Sequence, residues 1–112
     1  MVARAVGQLK SMFYNVGRIE VNAAVVLLRL CEALSAGLTT GEFVSLFGER
    51  FRLGGIDAKL VSVGGEFLLG QLERLAVVRQ EQPEPKTVGI NLSRWKLTEI
   101  GKKVLANLEN DA

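Results

Sequence analysis

Catalysis and coordination need groups that titrate, attack or ligate, and this chain holds few of them in useful combination. Histidine is absent from its 112 residues. That removes the usual general base, the Ser–His and Cys–His nucleophile pairs and the commonest metal ligand. The one cysteine, Cys31, sits in an apolar run. It can form no intrachain disulfide, and its surroundings read as those of a buried, inert small hydrophobe rather than a reactive thiol. The carboxylates are scattered, and none forms a clustered calcium-type loop. Gly54-Gly55 and Gly64-Gly65 match neither a dinucleotide-binding nor a phosphate-loop spacing. They read as loop and helix-end residues, or as points where the backbone comes close to a phosphate. No catalytic site, no metal and no cofactor is expected.

Positive charge is what remains. Lys and Arg number 14 against 12 Asp and Glu, so the net charge of +2 permits a nucleic-acid partner without demanding one. Position matters more than the sum. Arg50 and Arg52 end one expected helix, and Lys59 lies in the turn region after it. Gln71 and Arg74 fall on the polar side of the next helix, and Arg79, Lys86, Arg94 and Lys96 lie in an expected hairpin.

The elements that must position these residues are legible from periodicity. A hydrophobic content of 48% with 23% charged residues is that of a globular chain with an ample core. One domain over residues 1–112 is expected, with no repeat and no linker. The start is not a signal peptide, because Lys10 interrupts it, and the longest apolar run, Ala23 to Leu28, is far short of the ~20 residues that span a bilayer. The expected setting is therefore soluble and cytoplasmic, with no membrane partner.

Val2, Ala5, Val6, Leu9, Met12, Phe13 and Val16 recur at helical spacing and predict a helix over 2–16, stopped by Gly17. A seven-residue apolar face in a chain with enough other helices for a core marks residues 1–17 as a dimerisation element. Asn22 is an N-cap for a nearly all-apolar helix ending at Gly37, the expected central core helix. Thr39 with Glu42 has capping-box spacing, opening a helix with Phe43, Leu46, Phe47 and Phe51 on its apolar side. Asp57 is expected to cap a short helix and Ser62 a second one. Adjacent Gly64 and Gly65 would cost roughly 2 kcal/mol inside a continuous helix, so a break is expected there. Val77–Gln82 and 87–97 read as two strands around a tip at Pro83 and Pro85, where ladder donors are missing.

The stretch Leu92 to Leu105 organises the C-terminal half. Leu92, Arg94 and Lys96 alternate with Ser93, Trp95 and Leu97, which is strand geometry, and Trp95 is expected to pack the hairpin on the core. At Thr98 the period changes. Thr98 is an N-cap, Glu99 suits the first turn, and Ile100, Val104, Leu105 and Leu108 follow at helical spacing. This tract resembles the exit from the wing of winged helix-turn-helix regulators of the MarR and PadR type. There an aromatic strand residue precedes Leu-Thr-Glu-x-Gly-(Lys/Arg)-(Lys/Arg)-x-Leu. A second tract, Leu68 to Arg79, is similar to the MarR pattern Leu-Leu-x-x-Leu-Glu-x-x-Gly-Leu-Val-x, except that Ala76 stands at the usual glycine. That departure asks for a less sharp turn. The two tracts lie in the family's order, separated by one wing.

The resemblance implies an α+β fold, a winged helix-turn-helix with an extra N-terminal helix, mostly helical with a two-stranded wing. It implies duplex DNA binding by a small homodimeric transcriptional regulator. On that reading Arg50, Arg52, Lys59 and Lys86 grip phosphates and Gly64 and Gly65 admit a phosphate to the backbone. Arg74, Arg94 and Lys96 add charge, and Gln71 is the one residue of the second helix suited to a base edge, since a carboxamide pairs with adenine. The other exposed positions implied there are Val63, Gly64, Glu66, Phe67 and Gly70, a weak reading surface. Two further functions suit the same fold: a protein–protein module in a larger assembly, and a centromere-binding adaptor of a plasmid or phage partition system.

Overall fold

A computed structural model of the chain describes residues 1–82 and 93–110. Among them are five helices and two two-stranded antiparallel sheets, an α+β arrangement. In order these are α1 (Val2–Ser11), β1 (Phe13–Val16), β2 (Ile19–Asn22), α2 (Ala23–Ala36), α3 (Thr40–Arg50), α4 (Ala58–Arg74), β3 (Val78–Glu81), β4 (Arg94–Leu97) and α5 (Glu99–Asn110).

The N-terminal segment departs from the expected single helix over 2–16. Its apolar residues fit helical spacing, but Phe13, Tyr14, Val16, Ile19 and Val21 are also aromatic or β-branched, and these prefer strands. Gly17 and Arg18 form the two-residue loop of a hairpin in which Phe13 faces Asn22 and Val16 faces Ile19. Gly17 has φ +60°, the conformation such a loop needs at its first position. Asn22 then serves two helices. Its Nδ2 donates to the Lys10 carbonyl at 3.0 Å and the Met12 carbonyl at 3.2 Å, and its Oδ1 accepts from Val25 N at the start of α2. Part of the apolar face expected for α1 is used within the chain. Ala5, Val6 and Leu9 are buried in this chain, where α1 packs on α2 and α5.

Helix α2 is the central helix. Val26, Leu27, Leu30 and Leu34 are fully buried, and α1, α3, β4 and α5 all pack against it. Cys31 is half-buried rather than buried, its Sγ donating to the Leu28 carbonyl at 3.2 Å. Helix α2 ends at Gly37, φ +104°. The capping box of α3 forms in full between Thr39 and Glu42.

The expected break at Gly64 and Gly65 does not occur, and α4 is continuous from the Asp57 cap to Arg74. The glycines are places of close approach. A Cβ on Gly64 would stand 3.0 Å from Val16 Cγ2 of the hairpin, and one on Gly65 3.1 Å from Val44 Cγ2 of α3. Packing of two elements against α4 offsets the poor helix propensity of the pair.

The turn after α4 is as sharp as a glycine would make it. Ala76 takes φ +61°, with Ala76 N–H donating to the Glu73 carbonyl and Val77 N–H to the Leu72 carbonyl. This paired pattern closes helices through a left-handed residue. Helix α3 ends the same way through Arg52, φ +55°, with Arg52 N–H on Glu49 and Leu53 N–H on Gly48.

Strand β4 alternates as expected. Trp95 and Leu97 are buried, while Arg94 is exposed and Lys96 half-buried. Trp95 Nε1 donates to Thr40 Oγ1 at 2.9 Å, and its backbone bridges Leu38, a one-residue third strand between α2 and α3. Thr98 caps α5 by accepting from Gly101 N at 2.8 Å. The expected tip at Pro83 and Pro85, with Lys86 and the first part of the returning strand, lies outside the described residues.

Candidate nucleic-acid interface

The expected contact residues stand on three parts of the molecule. On α4, Lys59 is exposed in the first turn and Arg74 in the last, with Gln71 half-buried between them. Leu60, Val63, Phe67, Gln71 and Arg74 follow at steps of three and four, so they share one helical stripe. Leu60, Val63 and Phe67 are 50%, 65% and 50% exposed, which makes the middle of the stripe apolar. Glu66 and Glu73 are exposed beside it. The hairpin borders this stripe: Tyr14 meets Phe67 edge to face, ring centres 5.1 Å apart. Burial pushes the Tyr14 hydroxyl above its ordinary pKa. Gly64 and Gly65 are occupied by packing against Val16, Val44 and Phe47, and so do not open the backbone to a phosphate.

The second group sits on the hairpin of β3 and β4. Arg79 and Lys96 are directly opposed in the register, a like-charge pair. Glu81 pairs with both, at 3.3 Å from Arg79 Nη2 and 3.6 Å from Lys96 Nζ, and leaves the trio one positive charge in excess. Arg94 turns to the α2–α3 junction, where Nη1 meets Glu42 Oε1 at 3.3 Å and the Gly37 carbonyl at 3.4 Å. The Glu42 carboxyl is held below its ordinary value, first by the Thr39 backbone N–H, which donates to it at 2.9 Å, and further by the Thr39 hydroxyl and Arg94. All these pairs are solvent-exposed, so each is worth little and can exchange for another anion.

The third group is at the end of α3. Arg50 reaches back to α2, where its Nη1 donates to the Arg29 carbonyl, and Arg29 Nη1 returns a bond to the Arg50 carbonyl at 3.5 Å. Arg52 lines the cleft beside it and also the crevice between α3 and the start of α4. Lys86 lies outside the described residues.

Sequence reasoning missed Arg29 and the hairpin that borders α4. The available signal was Gly17-Arg18 between two runs of β-formers, a two-residue hairpin signature. Among the described residues no group of three or more His, Cys, Asp or Glu could hold a metal, and no helix is long and apolar enough to cross a membrane. No family model matches the chain, and no curated protein or solved structure shows significant similarity to it.

Proposed function

We propose that the chain is a winged helix-turn-helix domain that binds duplex DNA, as a small homodimeric transcriptional regulator. One observation carries the reading. Helix α2, the bridge at Leu38, α3, α4 and the β3–β4 hairpin follow in the order of a winged helix, with exposed Lys59 and Arg74 at the two ends of α4 and exposed Arg79 on the strand after it. Fold alone does not fix function, so the charges are what the proposal stands on. Along the α4 stripe Gln71 and Arg74 offer base-pairing groups, and the apolar residues between them make it a weak reading surface.

Fluorescence anisotropy with labelled duplexes tests this. Binding at ~50 mM salt should weaken linearly on a log–log salt plot. Changing Lys59 and Arg74 together to Ala should weaken all duplexes alike and flatten the slope by about one unit per lost phosphate contact. Gln71→Ala should cost roughly 1–3 kcal/mol on a preferred site only. Negligible affinity at ~50 mM salt sinks the proposal. Sedimentation tests the homodimer; two α4 helices about one DNA turn, ~34 Å, apart would favour an inverted repeat.

The apolar middle of the α4 stripe favours a second reading, a protein–protein module. Leu60, Val63 and Phe67 form an exposed apolar row that suits the apolar centre of a protein interface and is a poor partner for phosphate. Leu60→Ser with Phe67→Ser separates the two, because it should leave backbone-driven DNA affinity nearly unchanged.

A further inference from the structure

A cleft of about 770 Å³ lies between the β1–β2 hairpin, α2 and the end of α3. None of its lining residues belongs to α4, β3 or β4. Its size is within the range of about 300–1,000 Å³ that holds small ligands. Arg29, Arg50 and Arg52 supply its positive charge and Glu20 its single negative charge, while Phe13 and Phe51 supply aromatic wall.

Among the described residues no ion pair involves any of the three arginines. Two of them are nevertheless held in place. The Arg29 guanidinium lies over the Phe51 ring, 4.8 Å from its centre, and Arg29 and Arg50 donate to each other's carbonyls. Each guanidinium has five N–H donors, so most remain available after these bonds. Three arginines lining one cleft with no carboxylate of the described residues paired to them favour an anion there. Three arginines less one glutamate leave the lining at +2, which matches a phosphate monoester at neutral pH rather than a carboxylate or a phosphodiester. The guanidinium fork fits phosphate oxygens two at a time. Phe13 in the same cleft is 56% exposed, a free ring face on which a planar group can stack.

We propose that this cleft binds a small phosphate monoester carrying a planar ring, of the mononucleotide class. The arginines take the phosphate, Phe13 takes the ring, and Glu20 accepts from a hydroxyl or amine of the ligand body.

The test is a ¹H–¹⁵N shift titration of the full chain with adenosine 5′-monophosphate. Saturable shifts should fall on Phe13, Ile19 to Val25 and Arg50 to Arg52. Adenosine and inorganic phosphate should each bind at least about tenfold more weakly, since each lacks half of the recognition. Arg52→Gln should weaken binding by about tenfold, and an unchanged affinity overturns the proposal. If a variant fails to fold, the three-ligand comparison on the wild-type chain decides alone. The proposal is overturned if the monophosphate binds no better than adenosine or than phosphate, or if the shifts fall on α4. It is overturned equally if a DNA duplex displaces the monophosphate one for one, which would make the cleft part of a polymer-binding surface.

Discussion

Replacing Gly101 with alanine should destabilise the protein markedly, although Gly101 lies inside a helix, where alanine is normally the better residue. A Cβ at this position would stand 2.1 Å from the Val77 carbonyl oxygen, whereas ordinary contact begins near 3.4 Å. The obstructing atom belongs to the backbone, so no rotamer change relieves the clash. That carbonyl is also engaged, accepting from Thr98 N at 3.0 Å. Separating α5 from Val77 by about an ångström loses that bond and the one the Thr98 hydroxyl donates to the neighbouring Ala76 carbonyl, at ~0.5–1.5 kcal/mol each. Overpacking adds ~1–3 kcal/mol. Against these stands a gain of about 1 kcal/mol from replacing a helical glycine. The net loss is roughly 3 kcal/mol, which lowers the melting temperature by roughly 10–20 °C in a domain of this size. Trp95 is the only tryptophan and is 7% exposed, so its emission in a urea titration reads the transition directly. A Gly101→Ala protein as stable as the wild type, or about 1 kcal/mol more stable, would refute the close approach of α5 to Val77.

Three other substitutions probe the same architecture. Ala76→Gly relieves a left-handed alanine and should stabilise the fold by about 0.5–1 kcal/mol in the same titration; a loss would mean that Ala76 is not strained. Thr40→Val removes the acceptor of the Trp95 indole N–H and should cost ~1–3 kcal/mol, while Thr40→Ser should cost little; equal effects would show that the hydroxyl does not matter. The Glu42 carboxyl titrates below its ordinary value when folded. Its stabilisation is therefore complete above the ordinary carboxylate range and is lost as pH falls through the lowered folded value. Glu42→Gln should flatten that part of the acid limb in melting curves taken across pH, and an unchanged limb would remove Glu42 from the account.

Several caps were legible in the sequence, whereas the expected cap at Ser62 does not form and the turns at Gly17 and Ala76 differ from expectation. Asn22, Thr39 with Glu42, Asp57 and Thr98 all cap where their side chains predict, because capping is decided within four residues. Trp95 and Leu97 face the core as the alternation requires. Features set by distant partners were not legible. The hairpin at Phe13–Asn22 shares its apolar spacing with a helix, and only the docking of Tyr14 and Val16 on α4 separates the two. Gly64 and Gly65 look like helix breakers until Val16 and Val44 are known to press on them. In the candidate site, Glu42 and Glu81 lie far in sequence from Arg94 and Lys96, so the pairing of these hairpin cations could not be read ahead. The cleft depends on Arg29 and Arg50, which meet only because α2 and α3 pack together.

The two tracts that resemble winged-helix regulators turn out to be the two halves of one joint. Ala76 turns the chain after α4, and its carbonyl accepts the Thr98 hydroxyl. The next carbonyl, Val77, accepts Thr98 N–H and is the atom against which Gly101 must lack a side chain. Threonine and glycine three residues apart, paired with a left-handed position after the preceding helix, are thus what any chain needs to seat a final helix on such a hairpin. Of the residues that carry the resemblance, Leu68, Leu69, Leu72, Trp95, Leu97, Thr98 and Gly101 are accounted for by packing and hydrogen bonding, while Glu73, Glu99, Lys102 and Lys103 are exposed. The packed ones speak for architecture. The proposed function rests instead on residues outside both patterns or at their variable positions: Lys59, Leu60, Val63, Phe67, Gln71 and Arg74 along α4. Those six divide evenly between polar groups that suit nucleic acid and apolar groups that suit protein. Anisotropy on the Lys59/Arg74 and Leu60/Phe67 double variants therefore separates the readings: DNA binding requires the first pair to matter and the second to be dispensable.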